Sequence, residues 1–188
     1  MRIIAGSYRS RGLEAPAGLA TRPTSDRLRE TLFNVLAARM EGAAFLDLYA
    51  GSGAVGIEAL SRAAARVEFV ERAEPALRVL RGNLARLGLT AGFRIHAGSV
   101  GSVLRRMKPG AAFDLVFLDP PYDAAQEYAA TLGLFGAAVS SLLAPGAMVI
   151  AEHRKKERLE ERYGELMRTR LLAQGDAALS FFVVSAAE

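Results

Sequence analysis

Between residues 45 and 152 the chain alternates short apolar runs with amphipathic stretches, and that alternation confines it to a parallel sheet covered by helices on both faces. A strand buried on two faces must be apolar along its length, whereas each covering helix needs a single apolar stripe. The apolar runs predict strands over residues 45–49, 67–71, 93–96, 115–118 and 148–152. The amphipathic stretches predict helices over 55–62, 75–87, 100–107 and 127–143. Pro75 suits a first helical turn, where its missing N–H goes unused, and Gly88 suits the residue that ends the same helix. Leu28, Leu32, Val35, Leu36 and Met40 recur at helical spacing, so a further helix over 26–40 is expected to cover the sheet.

The two ends break the alternation. Residues 2–5 and 12–15 flank a polar stretch that carries Gly6, Arg9 and Arg11, which reads as a small basic β-hairpin ahead of the sheet. Residues 166–173 and 178–185 flank Gln174-Gly175-Asp176, which reads as a hairpin adding antiparallel strands at the sheet edge. The expectation is a doubly wound α/β fold with a mostly parallel seven-stranded sheet, divided into the hairpin (1–20) and the body of the same single domain (21–188). A chain of 188 residues can bury one substantial core.

Composition narrows the chemistry. There is no cysteine and there are only two histidines, His96 and His153, far apart in sequence, so neither thiol chemistry nor a metal cluster is expected. No uncharged run reaches the roughly 18 residues a membrane span needs, and the expectation is a cytoplasmic, monomeric protein without a membrane partner. The net charge is +4, and residues 1–30 hold six arginines against Glu14, Asp26 and Glu30. A basic end suits a polyanion such as RNA, with Arg9 and Arg11 as the expected backbone contacts.

After the first strand comes Asp47-Leu48-Tyr49-Ala50-Gly51-Ser52-Gly53-Ala54-Val55-Gly56, a G-x-G-x-x-G turn between strand and helix. Such a turn lets backbone approach a nucleotide-like ligand closely, although a tight turn also needs glycine for its own sake. Asp47 is a charge within an apolar strand, which requires a partner. Glu71 ends the next strand, where a carboxylate can accept hydrogen bonds from ribose hydroxyls. Together these residues favour an adenosyl ligand over turn geometry alone.

Dinucleotide oxidoreductases share that much. Asp119-Pro120-Pro121-Tyr122 sets this chain apart, because it follows the apolar strand 115–118 at the edge of the ligand crevice. Two prolines stiffen the loop, so that the Asp119 carboxylate and the Pro120 carbonyl become two fixed acceptors and Tyr122 a flat surface for stacking. An exocyclic base amine is a poor nucleophile because its lone pair is delocalised into the ring. Two acceptors that grip its N–H groups turn the lone pair out toward an electrophile and stabilise the positive charge that develops. The plainer reading of the tetrapeptide is a stiff turn with a buried tyrosine.

The Asp-Pro-Pro-Tyr loop and the glycine-rich turn resemble those of methyltransferases that act on adenine N6, cytosine N4 or guanine N2. More specifically, Met1-Arg2-Ile3-Ile4-Ala5-Gly6, the block from Thr21 to Asn34 (TRPTSDRLRETLFN) and the stretch 47–62 resemble the RsmD family of small-subunit ribosomal RNA guanine-N2 methyltransferases, in order along nearly the whole chain. The resemblance implies the Rossmann-like methyltransferase sheet, S-adenosylmethionine as methyl donor, and ribosomal RNA within a small-subunit particle as partner. It implies contacts to the methionine end of the donor from Arg22, Pro23 and Thr24, and donor contacts from Asp47, Gly51, Gly53 and Glu71, with Asp119, Pro120, Pro121 and Tyr122 at the reacting base. Many such enzymes place an acidic or amide residue against adenine where the third strand ends. Here the sequence is His96-Ala97-Gly98-Ser99, so Ser99 is the expected adenine contact or else a helix cap. His96 reads as a satisfied strand residue, and His153-Arg154-Lys155-Lys156, followed by Glu157, Glu160 and Glu161, as a solvated helix start. A DNA adenine-N6 methyltransferase and a non-catalytic RNA-binding module on the same fold are the alternatives.

Overall fold

The computed structural model describes residues 1–16, 26–108, 112–121, 125–137 and 139–185. Arg22, Pro23, Thr24 and Tyr122, all expected at the site, lie outside the described residues. The strands are β1 (Ala44–Leu48), β2 (Arg66–Glu71), β3 (Phe93–Ala97), β4 (Phe113–Leu118), β5 (Leu143–Arg154), β6 (Arg162–Tyr163), β7 (Leu166–Gln174) and β8 (Ala177–Val184). The helices are α1 (Asp26–Met40), α2 (Ala54–Ser61), α3 (Glu74–Arg86), α4 (Val100–Arg106) and α5 (Ala125–Phe135). One sheet runs in the order β3-β2-β1-β4-β5-β8-β7-β6. Its first five strands pair in parallel, and β8, β7 and β6 continue it antiparallel.

Side-chain alternation along the parallel strands divides the core into two layers. On one face Phe45, Phe69 and Phe117 pack under Leu32, Phe33 and Leu36 of α1, Ile57 of α2 and Leu80 of α3. On the other, Leu46, Leu48, Val116 and Val149 meet Leu104 of α4 and Leu132 and Phe135 of α5. The order of strands leaves a crevice beyond the carboxyl ends of β1 and β4, where the winding reverses.

Beyond the N-terminal segment, four expectations need correction. The sheet is mixed and has eight strands, not seven, because Arg162 and Tyr163 pair with Met167 and Leu166. Two residues are too few for a periodic signal. A contact distant in sequence holds them in place: a Cβ on Gly136 would fall 1.8 Å from the Tyr163 carbonyl oxygen. The helix expected over 127–143 starts at Ala125 and stops at Phe135, and Ser140–Leu142 form a separate 3₁₀ turn. Strand β5 then begins five residues early, at Leu143, because Ala144, Pro145, Gly146 and Ala147 bulge from the β4 register and let Leu143 pair with Phe113. Residues 153–156 start no helix. His153 and Arg154 finish β5, and His153 is buried with its Nε2 2.9 Å from the Ser180 hydroxyl.

At the start of the chain the expected hairpin reduces to one antiparallel bridge, Arg2 with Gly12. The segment is bound to α2 instead. The buried Glu58 carboxylate accepts the N–H groups of Ile4 (2.8 Å) and Ala5 (3.0 Å), and Ser61 accepts those of Ser7 and Tyr8. Gly6 has φ 82°, and a Cβ there would overlap the Ser61 carbonyl, so only glycine passes this close. Arg29 is fully buried, donates to Asp26 (2.9 Å) and to the Arg2 carbonyl, and lies 3.8 Å from Glu58. It therefore belongs to the interior rather than to a basic surface.

Candidate active site

A cavity of about 280 Å³ opens at the carboxyl ends of the parallel strands. The glycine-rich turn forms its floor. Gly51 and Gly53 take left-handed backbone (φ 55° and 79°), and a Cβ on Gly53 would sit 2.2 Å from Leu80 Cδ1. Gly56 lets α2 lie against β2, where a Cβ would meet Phe69 at 2.3 Å. Gly53 and Gly56 are thus needed for packing, and Gly51 for its left-handed backbone alone, since a Cβ there would meet nothing closer than 3.9 Å.

Asp47 finds the partner that a charge in an apolar strand requires. Its Oδ2 accepts the Gly56 N–H at 2.8 Å, which fixes the turn to the strand before it. Asp47 is 2% exposed and lines the cavity. Burial pushes its carboxyl up from 3.8 to about 7, against the pull of the Gly56 hydrogen bond and with a smaller push from Glu71. Glu71 ends β2 with both oxygens engaged: Oε2 accepts from Gly51 N–H (2.9 Å), and Oε1 from the N–H groups of Arg72 (2.7 Å) and Ala73 (2.8 Å). A carboxylate has about four acceptor positions, so Glu71 holds the glycine turn and retains capacity for a ligand hydroxyl.

Asp119 follows β4, half-buried on the cavity wall, with Pro120 buried and Pro121 exposed beside it. Burial raises its carboxyl well above the usual range, and the negative charges of Glu152 and Asp47 add to this. Ser99 stands at the N-cap of α4 and lines the cavity, but its side chain makes no capping bond, so the capping role is not taken. Arg9 and Arg11 are exposed on the N-terminal segment, and Arg11 Nη2 donates to the Arg86 carbonyl at the end of α3 (3.2 Å). His96 sits in β3 with Nε2 2.6 Å from Glu68, as its reading as a satisfied strand residue requires. Glycine turn, Glu71, Ser99 and Asp119 therefore share one cavity, whereas Arg9 and Arg11 do not line it.

Two groups escaped the sequence. Met1, Ala15 and Pro16 also wall the cavity. Buried Asn83 fixes Glu14, next to Ala15, against the glycine turn: its Nδ2 donates to the carbonyls of Glu14 and Ser52 (both 3.0 Å), and its Oδ1 accepts the Glu14 N–H (2.9 Å). Asparagine within a helix gives no hint of this. Tyr49 has φ 60°, and its hydroxyl is 2.8 Å from both Glu127 Oε2 and Thr131 Oγ1 of α5. Its one visible signal was its place directly before the glycine turn.

The arrangement offers acceptors for hydroxyl groups, negative charge for a cationic ligand, and a stiff acceptor loop at the same cavity. No group of metal ligands occurs among the described residues, and no helix there is long and apolar enough to cross a membrane. Comparison with known proteins agrees with this chemistry. Residues 1–183 match the family described as conserved hypothetical protein 95. YlbH of Bacillus subtilis (strain 168), by its name a candidate rRNA methyltransferase, is 36% identical over 183 residues, covering 97% of this chain and 98% of that protein. Ribosomal RNA small subunit methyltransferase D of Escherichia coli (strain K12) is 40% identical over 122 residues, which cover 65% of this chain and 60% of that one. The solved structure of yhhF from Escherichia coli, described as a candidate methyltransferase, superposes with a TM-score of 0.85 at 33% identity over 100% of this chain and 99% of that chain.

Proposed function

We propose that this chain, which belongs to the RsmD family of methyltransferases, transfers a methyl group from S-adenosylmethionine to the exocyclic N2 amine of a guanine in small-subunit ribosomal RNA. The observation that carries the reading is that the Asp119-Pro120-Pro121 loop opens onto the same cavity as Glu71 and the glycine turn. A methyl acceptor and an adenosyl donor would therefore share one space.

The residues present fit such a donor. When bound, S-adenosylmethionine supplies an electrophilic methyl on a cationic sulfur. Asp47 and Glu71 give the cavity the negative charge a cation needs, and Glu71 has acceptor capacity for a ribose hydroxyl. Gly51, which lines the cavity, and Gly53, which does not, are assigned to the carboxypropyl end together with Arg22, Pro23 and Thr24 through the family resemblance, and Ser99 offers its hydroxyl to adenine.

At the base, the Asp119 carboxylate and the Pro120 carbonyl accept the two N2 hydrogens and turn the lone pair toward the methyl, while Tyr122 stacks on the ring of a guanine taken out of its helix. A desolvated Asp119 gains most when the amine becomes positive, so its stabilising effect is concentrated in the transition state. Arg9 and Arg11 contact phosphates and help recognise RNA shape. The protein is read as a cytoplasmic monomer that needs no metal.

The test is methyl transfer from tritiated donor to naked ribosomal RNA, small subunits and DNA, with the product nucleoside mapped. N2-methylguanosine in RNA is the expected product. N6-methyladenine in DNA would favour the DNA enzyme, and donor binding without turnover on any substrate would favour a non-catalytic module.

A further inference from the structure

The Tyr49–Glu127–Thr131 cluster is used neither by the donor contacts nor by the Asp119 loop. Left-handed backbone at a tyrosine persists only where its surroundings impose it. Here the surroundings are on α5: the Tyr49 hydroxyl donates to Glu127 Oε2, and its oxygen accepts from the Thr131 hydroxyl, both at 2.8 Å. Glu127 is the third residue of α5 and follows Asp119 by eight residues in the sequence. Both line the same cavity, with Pro121 between them in sequence. One Glu127 oxygen is fixed by Tyr49, and the other has no hydrogen-bond partner among the described residues.

A carboxylate that is held by one oxygen and borders an amine-gripping loop suits a particular base edge. Guanine places an N1–H donor directly beside its N2 amine. Adenine places an N1 lone pair beside its N6 amine, which a carboxylate repels. We propose that Glu127 selects the base: its free oxygen accepts the N1–H of the guanine whose N2 amine meets Asp119, with Tyr49 and Thr131 as positioning residues. This inference rests on the guanine-N2 reading given above.

The test compares two RNA substrates, one with the mapped target guanine and one with 2,6-diaminopurine in its place, which keeps the N2 amine but has a lone pair at N1. Wild-type protein is expected to prefer guanine by roughly 10- to 100-fold in kcat/KM, the effect of one charged hydrogen bond exchanged for an unmatched acceptor. Glu127→Gln, which retains an acceptor for Tyr49 and can turn its amide N–H toward the N1 lone pair, is expected to bring the ratio near one, with donor Kd and Tm unchanged. Tyr49→Phe is expected to lower the ratio part of the way, which a purely structural role would leave intact. If Glu127→Gln keeps the full preference, or weakens donor binding with the preference unchanged, the inference is overturned. If the wild-type product contains no N2-methylguanosine, the reading it rests on fails instead.

Discussion

Asp47 carries a free-energy penalty that a pH titration can expose. Its carboxyl ionises at about 7 in the folded chain and near 3.8 as a free side chain. A group whose folded value is raised contributes stability that is complete below the unfolded value and is lost as pH rises through the folded one. The window is therefore pH 4 to about 7. Each tenfold change in proton affinity corresponds to about 1.36 kcal/mol, so ionised Asp47 lowers stability by up to about 4 kcal/mol above neutrality. Asp47→Asn keeps an oxygen for the Gly56 N–H but cannot ionise. Urea unfolding of both proteins from pH 4 to 8.5 reads the effect of the Asp47 charge, including its push on Asp119, because Asp47 is the one titrating group the pair does not share. The stability difference in favour of the variant is expected to grow from pH 4 and level off above 7. A bound cation would favour the ionised carboxylate, so saturating S-adenosylmethionine should narrow the difference at pH 7.5. A difference that stays flat from pH 4 to 8.5 would refute the burial argument and mean that Asp47 ionises as a solvated carboxylate does.

Four further outcomes are expected. Glu71→Ala, which removes the acceptor of three backbone N–H groups and the acceptor proposed for the ribose, should weaken donor binding by about 1.5–3 kcal/mol in calorimetry. Asp119→Ala should slow single-turnover methyl transfer roughly 100- to 1,000-fold with donor affinity unchanged. On the same RNA Tyr122→Ala should lose a stacking surface of about 1–3 kcal/mol, while Tyr122→Phe keeps most activity. Replacing Arg9 and Arg11 together with Ala should flatten the salt dependence of RNA binding by up to about 1.4–1.8 log units per log unit of salt. The bond from Arg11 to Arg86 makes the lower part of that range the expected one.

What could be read in the sequence was what repeats locally. Most of the parallel strands announce themselves because burial on both faces makes most of their residues apolar, although the edge strand β3 carries Arg94 and His96, and the glycine turn because its left-handed backbone disfavours a Cβ. Glu71 and Asp119 were legible for the same reason: each is a carboxylate directly after an apolar run. The contacts made between distant segments were not legible. Asn83 joins residues 31 and 69 positions away, Glu58 holds backbone more than 50 positions earlier, and Tyr49 reaches across 78 to Glu127. No local pattern distinguishes these polar residues from solvated ones. The two-residue β6 and the early start of β5 likewise depend on partners elsewhere, the approach of Gly136 and the edge of β4.

Strand β8 lies between β5 and β7, although it follows both in the chain. Until Val184 has left the ribosome, the inner edge of β5 offers its N–H and C=O groups unpaired from Met148 to Arg154, and β7 has no inner neighbour. Leu179, Phe181 and Phe182, each at most 1% exposed in the finished fold, are then still missing from both core layers. Vectorial synthesis therefore cannot close this sheet progressively from its amino end. A nascent chain stalled before residue 177 would present an open, apolar strand edge, the kind of surface that recruits chaperones or pairs with another chain.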